Sequence, residues 1–240
     1  MPGSPLKGFS QVRIINLRRR RDRRRETEAE LAHLGEMVDG RRCAFFEAIE
    51  PDEAAGFPNP AVRGCFLSHL AVLGAACRAG VEDVLVLEDD VAFVLEARRL
   101  AAEAVDQLSG ISWDIAYFGH ALGSRPGQPG WLPVDRPMRH AHCYAVRARV
   151  LARLVAFLQR VTERPAGHPE GGPMHFDGAL STFVQQNPDV VAVHFSRNLA
   201  YQRPSRTDLH RPSLLDRTPV VKRLAVPLRW LKRRYLKLVR

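Results

Sequence analysis

Cysteine is scarce in this 240-residue chain, and the four present (Cys43, Cys65, Cys77 and Cys143) form no CxxC pair and show no metal-ligand spacing. Disulfide staples and a zinc module are therefore not expected, and reduced thiols in a cytoplasmic setting are. The N-terminus has no secretory pattern, since Pro2, Gly3, Pro5 and Lys7 precede any apolar run. No window reads as the ~18–20 apolar residues of a membrane span. Aromatic residues make up only 8% and do not interleave with the basic ones, so a stacking platform for nucleic acid is missing. Acids are absent from residues 217–240, which hold nine Lys/Arg. The whole chain has 36 Lys/Arg against 26 Asp/Glu and a net charge of +10. Almost all of the excess thus belongs to that one segment, and the high pI does not imply a nucleic-acid partner here.

What is present fits one globular domain with a basic appendage. The hydrophobic share of 45% and charged share of 26% are ordinary, and a chain of this length buries roughly 70% of its unfolded surface. Residues 11–17 (QVRIINL) read as a strand and Arg18 to Gly35 as a helix ending at the glycine. Residues 43–49 read as a second strand. A helix follows through GCFLSHLAVLGAACRAG, with Phe66, Leu70, Leu73 and Ala76–Cys77 at helical spacing. DVLVLEDD (83–90) is an apolar strand ending in three acids. Residues 94–108 read as a helix, 112–119 and 142–146 as strands, 149–161 as a helix, residues from Gly178 as a helix, and 190–195 as the last strand. Such alternation predicts an α/β sheet with helices on both faces.

Four places carry candidate chemistry. Glu88, Asp89 and Asp90 crowd three carboxylates at a strand's carboxyl end, where like charges raise one another's pKa. A hard divalent cation relieves that repulsion, although a solvated acidic turn has the same sequence. Ser68 and His69 open a helix, where they bind a ligand or simply satisfy local backbone groups. Asp177, before a helix, is a base or an N-cap. Residues 201–210 are polar and basic, and Arg203 and Arg206 there, with the Arg18–Arg25 run, offer guanidinium forks that suit phosphate.

The order of these pieces is distinctive: Ile15-Asn16-Leu17 followed by Asp22-Arg23, then RGCFLSHL (63–70), VLVLEDDV (84–91), WDIAYFG, HCYAV, FDGALS and AYQRPSRTDL. This series resembles glycosyltransferase family 25, across residues 11–210. The resemblance implies a GT-A-like single Rossmann-type α/β domain with a mostly parallel sheet. It implies an inverting transfer of a hexose, galactose by family habit, from a UDP-sugar to a glycan or glycolipid hydroxyl in lipooligosaccharide or cell-surface polysaccharide synthesis. Mn²⁺ (or Mg²⁺) is the implied cofactor, held by Asp90 with Glu88. Asp177 is the implied base, and Asn16, Arg23, Ser68, His69, Glu88, Asp89, Arg203 and Arg206 are the implied donor-binding residues. The alternatives are a catalytically inactive relative or a basic nucleic-acid-binding module. In residues 217–240, Leu228, Leu231, Tyr235, Leu238 and Val239 share a stripe opposite Arg229, Arg233, Lys237 and Arg240. That pattern predicts an amphipathic helix lying on an anionic membrane, which would place the protein at the inner face of the cytoplasmic membrane.

Overall fold

The computed structural model describes residues 4–122, 124 and 127–203. Arg206 and the basic segment 217–240 lie outside the described residues. After a single 3₁₀ turn (Pro5–Gly8), the chain forms β1 (Gln11–Asn16), α1 (Arg21–His33), β2 (Cys43–Glu47), α2 (Pro60–Arg78), β3 (Asp83–Glu88), β4 (Val91–Phe93) and α3 (Ala97–Ser109). It continues through β5 (Ile115–Gly119), β6 (Trp131–Pro133), β7 (Cys143–Arg147), α4 (Ala148–Glu163), α5 (Phe176–Gln186), β8 (Ala192–Phe195) and β9 (Ala200–Gln202).

The α/β expectation is met. The strands make one nine-stranded sheet in the order β2-β1-β3-β7-β5-β8-β6, with β9 beside β5 and β4 beside β9. β1, β2, β3, β5, β8 and β9 run one way, while β4, β6 and β7 run against them. Alternation along each strand feeds two cores, as the two-residue period of a sheet requires. Leu85 and Leu87 pack with Val12, Ile14, Leu31 and the α3 alanines on one face. Val84 and Val86 pack with Phe66, Leu73, Leu154 and Phe183 on the other. The sheet is covered on both sides, so its strands read as continuous apolar runs.

Three strands were not expected. β4, β6 and β9 have three residues each, too few to show a period, and pairing with a neighbour defines them rather than composition. Consequently β8 is not the last strand. α2 also begins earlier than its apolar run, because Asn59 caps it by accepting from the Val62 N–H at 2.9 Å and Pro60 fits the first turn. Contrary to the expectation, α2 has the length and mean hydropathy (1.3) of a membrane span. Here it serves as a core helix, packed on α4, α5, β1 and β3.

The first two crossovers set up the ligand site. From β1 the chain moves outward to β2, then returns through α2 to β3 on the other side of β1. The β1/β3 seam is thus a topological switch point, where ligands bind outside the carboxyl ends of the strands. Close packing fixes the wall beside that seam. A Cβ placed on Gly64 of α2 would lie 2.5 Å from the Ile49 carbonyl oxygen and 3.0 Å from Pro51 Cδ. Gly64→Ala is therefore expected to cost about 1–3 kcal/mol through overpacking, read as a lower midpoint in urea unfolding. An unchanged midpoint would contradict this packing.

Candidate active site

A cavity of about 300 Å³ opens at the carboxyl ends of β1, β2 and β3. Ile15, Leu17, Ala48, Ile49 and Pro51 give it an apolar side, Gly64, Cys65, Ser68 and His69 of α2 form a second wall, and Glu88, Asp89 and Asp90 form the acidic floor. Its volume matches the lower end of small-ligand sites.

The three acids have three different environments. Asp89 is 5% exposed and both its oxygens are occupied: Oδ1 accepts from Arg23 at 2.8 Å and Oδ2 from Asn16 Nδ2 at 2.8 Å. Its main-chain oxygen accepts from Thr27 Oγ1 at 2.7 Å and from the Arg203 guanidinium. Arg203 also lies 3.2 Å from Glu26, and its own N–H donates to the Asp90 carbonyl at 2.7 Å. Asn16, Arg23, Asp89 and Arg203 thus form one buried network behind the acidic turn. Asn16 and Arg203 do not line the cavity, whereas Arg23 and Asp89 reach its edge.

Glu88 and Asp90 face the cavity instead. Burial opposes charge on Glu88, but His69, His142 and Gln202 outweigh it and hold the carboxyl below its usual range. Glu88 Oε1 is 3.4 Å from His69 Nε2, and Oε2 accepts from Gln202 Nε2 at 2.9 Å. Asp90 is pushed up to about 7 by burial first and then by Glu88, with Arg23 and Arg203 only partly compensating. Arg23 NH1 stands 3.7 Å from its Oδ2. Its Oδ1 is buried and has no hydrogen-bond partner among the described residues. That orphaned oxygen beside a second carboxylate is what a hard divalent cation would satisfy, so the donor set fits the metal implied by the sequence.

α2 supplies the opposite wall. Ser68 Oγ donates to the Gly64 carbonyl at 2.7 Å and accepts from the Ile49 N–H at 2.8 Å, tying α2 to the loop after β2. His69 is 1% exposed. It stacks on Phe176 at 4.0 Å between ring centroids and 7° between planes, and its Nδ1 is 2.9 Å from Tyr144 Oη. Burial and the carboxylates of Glu88, Asp177 and Asp90 push the Cys65 thiol up.

Asp177 lies in the first turn of α5, whose N-cap is His175. Helix α5 starts two residues before the expected Gly178. Asp177 Oδ1 accepts from the Gly178 N–H at 2.9 Å and Oδ2 from the His140 N–H at 3.1 Å. His140, an exposed residue with φ of 64°, links Asp177 to the acidic floor. Its Nδ1 is 2.8 Å from Gln202 Oε1, and Gln202 in turn donates to Glu88. Neither His140 nor Gln202 is among the site residues expected from the sequence. Gln202 sits in the polar, basic block 201–210, but His140 carries no local signal. Cys65, which the sequence suggests as a core residue, lines the cavity four residues before His69 on α2.

No protein-family model matches the chain. Over 129 residues it is 33% identical to a glycosyltransferase 25 family member of Aedes aegypti, covering 47% of this chain and 21% of that protein. It is 30% identical over 131 residues to procollagen galactosyltransferase 2 of Homo sapiens, and 30% identical over 130 residues to inactive glycosyltransferase 25 family member 3 of Mus musculus. The chain spans about a fifth of the length of these curated relatives. A crystal structure of a glycosyltransferase involved in glycosylation of the major capsid of PBCV-1 superposes with a TM-score of 0.38 at 15% identity, covering 67% of this chain and 68% of that one. Over just under half its length, then, this chain is similar to glycosyltransferase 25 family members, some named as galactosyltransferases and others as inactive.

Proposed function

We propose that the protein is an inverting, metal-dependent glycosyltransferase of the GT-A type, moving a hexose from a UDP-sugar to a glycan hydroxyl. The observation that carries this reading is the switch-point cavity whose floor holds Glu88 and the orphaned oxygen of Asp90. The likeness to galactosyltransferases favours galactose as the transferred sugar. The apolar side of Ile15, Leu17, Ala48 and Ile49 suits the flat base of a nucleotide. The diphosphate belongs over the floor, where unshielded carboxylates would repel it. Asp90 and Glu88 would hold Mn²⁺ or Mg²⁺, which would supply Lewis-acid charge to offset that of the phosphates and of departing UDP. Arg23, at the cavity edge, adds fixed positive charge there.

The remaining chemistry falls to the protein's own groups. Asp177 accepts the proton of the acceptor hydroxyl as that oxygen bonds to the anomeric carbon and the bond to UDP breaks. Two backbone N–H groups aim its oxygens. His140 and Gln202 fix the base side of the site to Glu88, so the acceptor and donor sides share one hydrogen-bonded frame. Mass spectrometry of UDP released from a panel of UDP-sugars with Mn²⁺ tests the reading.

The basic segment 217–240 fits an acceptor carried on a lipid at the inner face of the cytoplasmic membrane. Nine Lys/Arg with no acid, interspersed with Trp230, Tyr235 and leucines, suit an anionic surface. Removing residues 217–240 is expected to abolish sedimentation with anionic vesicles while donor hydrolysis in solution continues. Vesicle binding by the truncated chain would exclude this role.

A further inference from the structure

The geometry points to Cys65, His69 and Glu88 as a second, softer metal site where the α2 wall meets the cavity floor, one that takes Zn²⁺. One thiol sulfur, one imidazole nitrogen and one carboxylate oxygen lie within 4.8 Å of one another. Cys65 and His69 share a face of α2 because they are four residues apart, and Glu88 arrives from the end of β3. Zinc bonds of about 2.0–2.3 Å to these donors need only a modest contraction of the trio.

The supporting contacts are already made. When Nδ1 donates its hydrogen to Tyr144 Oη, the lone pair on Nε2 points towards Glu88 Oε1. The stack on Phe176 fixes the ring plane, and Gln202 holds the other Glu88 oxygen. Such outer contacts orient histidine and carboxylate ligands in metal sites. All three residues line the cavity, so a fourth coordination position is open to water or a ligand. Sulfur and imidazole select Zn²⁺ over the hard ions that suit Asp90. On binding, the Cys65 thiol releases its proton to solvent and the sulfur bonds to the ion. Zn²⁺ here would also take Glu88 away from the donor, making it an inhibitor of the proposed transfer.

Co²⁺ titration of the full chain, read by the sulfur-to-cobalt charge-transfer absorption, tests the site. The expected result is a band saturating at one ion per chain, abolished by Zn²⁺ and by Cys65→Ser, and retained in Cys77→Ser. No band in the wild type, or a band surviving Cys65→Ser, would overturn the site. Should Cys65→Ser fail to fold, Tyr144→Phe keeps all three ligands and is expected to weaken Zn²⁺ binding about 10- to 100-fold; unchanged affinity would count against the site. Because binding is read without turnover, a missing band and a missing transferase activity are separate failures.

Discussion

Asp177→Asn is expected to collapse sugar transfer while leaving UDP binding nearly intact. The substitution keeps the shape of the side chain, and the amide oxygen retains one of its two N–H contacts. Besides one N–H contact, it removes the capacity to take a proton, which in general base catalysis is typically worth about 10²–10⁴-fold. UDP affinity with Mn²⁺ should stay within about threefold, under roughly 0.7 kcal/mol. Loss confined to turnover marks an interaction made only in the transition state. Calorimetry with UDP beside a transfer assay decides it. Equal loss of UDP binding would move Asp177 to the donor site, and near-normal turnover would leave it with only its helix-end hydrogen bonds.

Asp90→Asn is expected to abolish metal-dependent UDP binding and activity, and at the same time to stabilise the metal-free protein. The sign follows from the raised pKa. Its carboxyl rises from 3.8 to about 7 in the fold, so the folded state holds its proton more tightly than the unfolded chain. The ionised form therefore destabilises the fold. That cost is absent below the unfolded pKa, grows as pH rises between the two values, and is complete above about 7. At pH 8 its removal should be worth on the order of 2–4 kcal/mol, with less than half of the gain left at pH 5. Thermal unfolding in EDTA should then show a midpoint higher by roughly 2–4 °C per kcal/mol. A variant less stable than wild type at pH 8 would mean that Asp90 holds the fold together rather than waiting for a cation.

The central strands were legible because burial on both sheet faces writes itself as apolar runs, and helix α4 as a clear 3.6-residue stripe. β4, β6 and β9 were not, since three residues paired by a neighbour leave no period. Glu88-Asp89-Asp90 was legible as a site, but the division of labour within it was not. Successive residues past a strand end turn to different sides. Asp89 turns back to Arg23 and Asn16, both more than 60 residues away in sequence, and Asp90 is only partly neutralised, with Arg23 3.7 Å from its Oδ2. The same distance hid His140 and Gln202, whose roles arise only where α5, β9 and the loop before β7 meet. The cysteines show no pattern by their spacing from one another, whereas the thiol of Cys65 lies within 4.8 Å of donor atoms of His69 and Glu88.

The most direct measurement of the central claim is UDP release. The protein is incubated with Mn²⁺ and a panel of UDP-sugars, with and without excess EDTA, and free UDP is quantified by mass spectrometry. UDP released from at least one sugar nucleotide, suppressed by EDTA and by Asp90→Asn, is the predicted result. Release that continues undiminished in EDTA, or no release from any UDP-sugar with either Mn²⁺ or Mg²⁺, would contradict it.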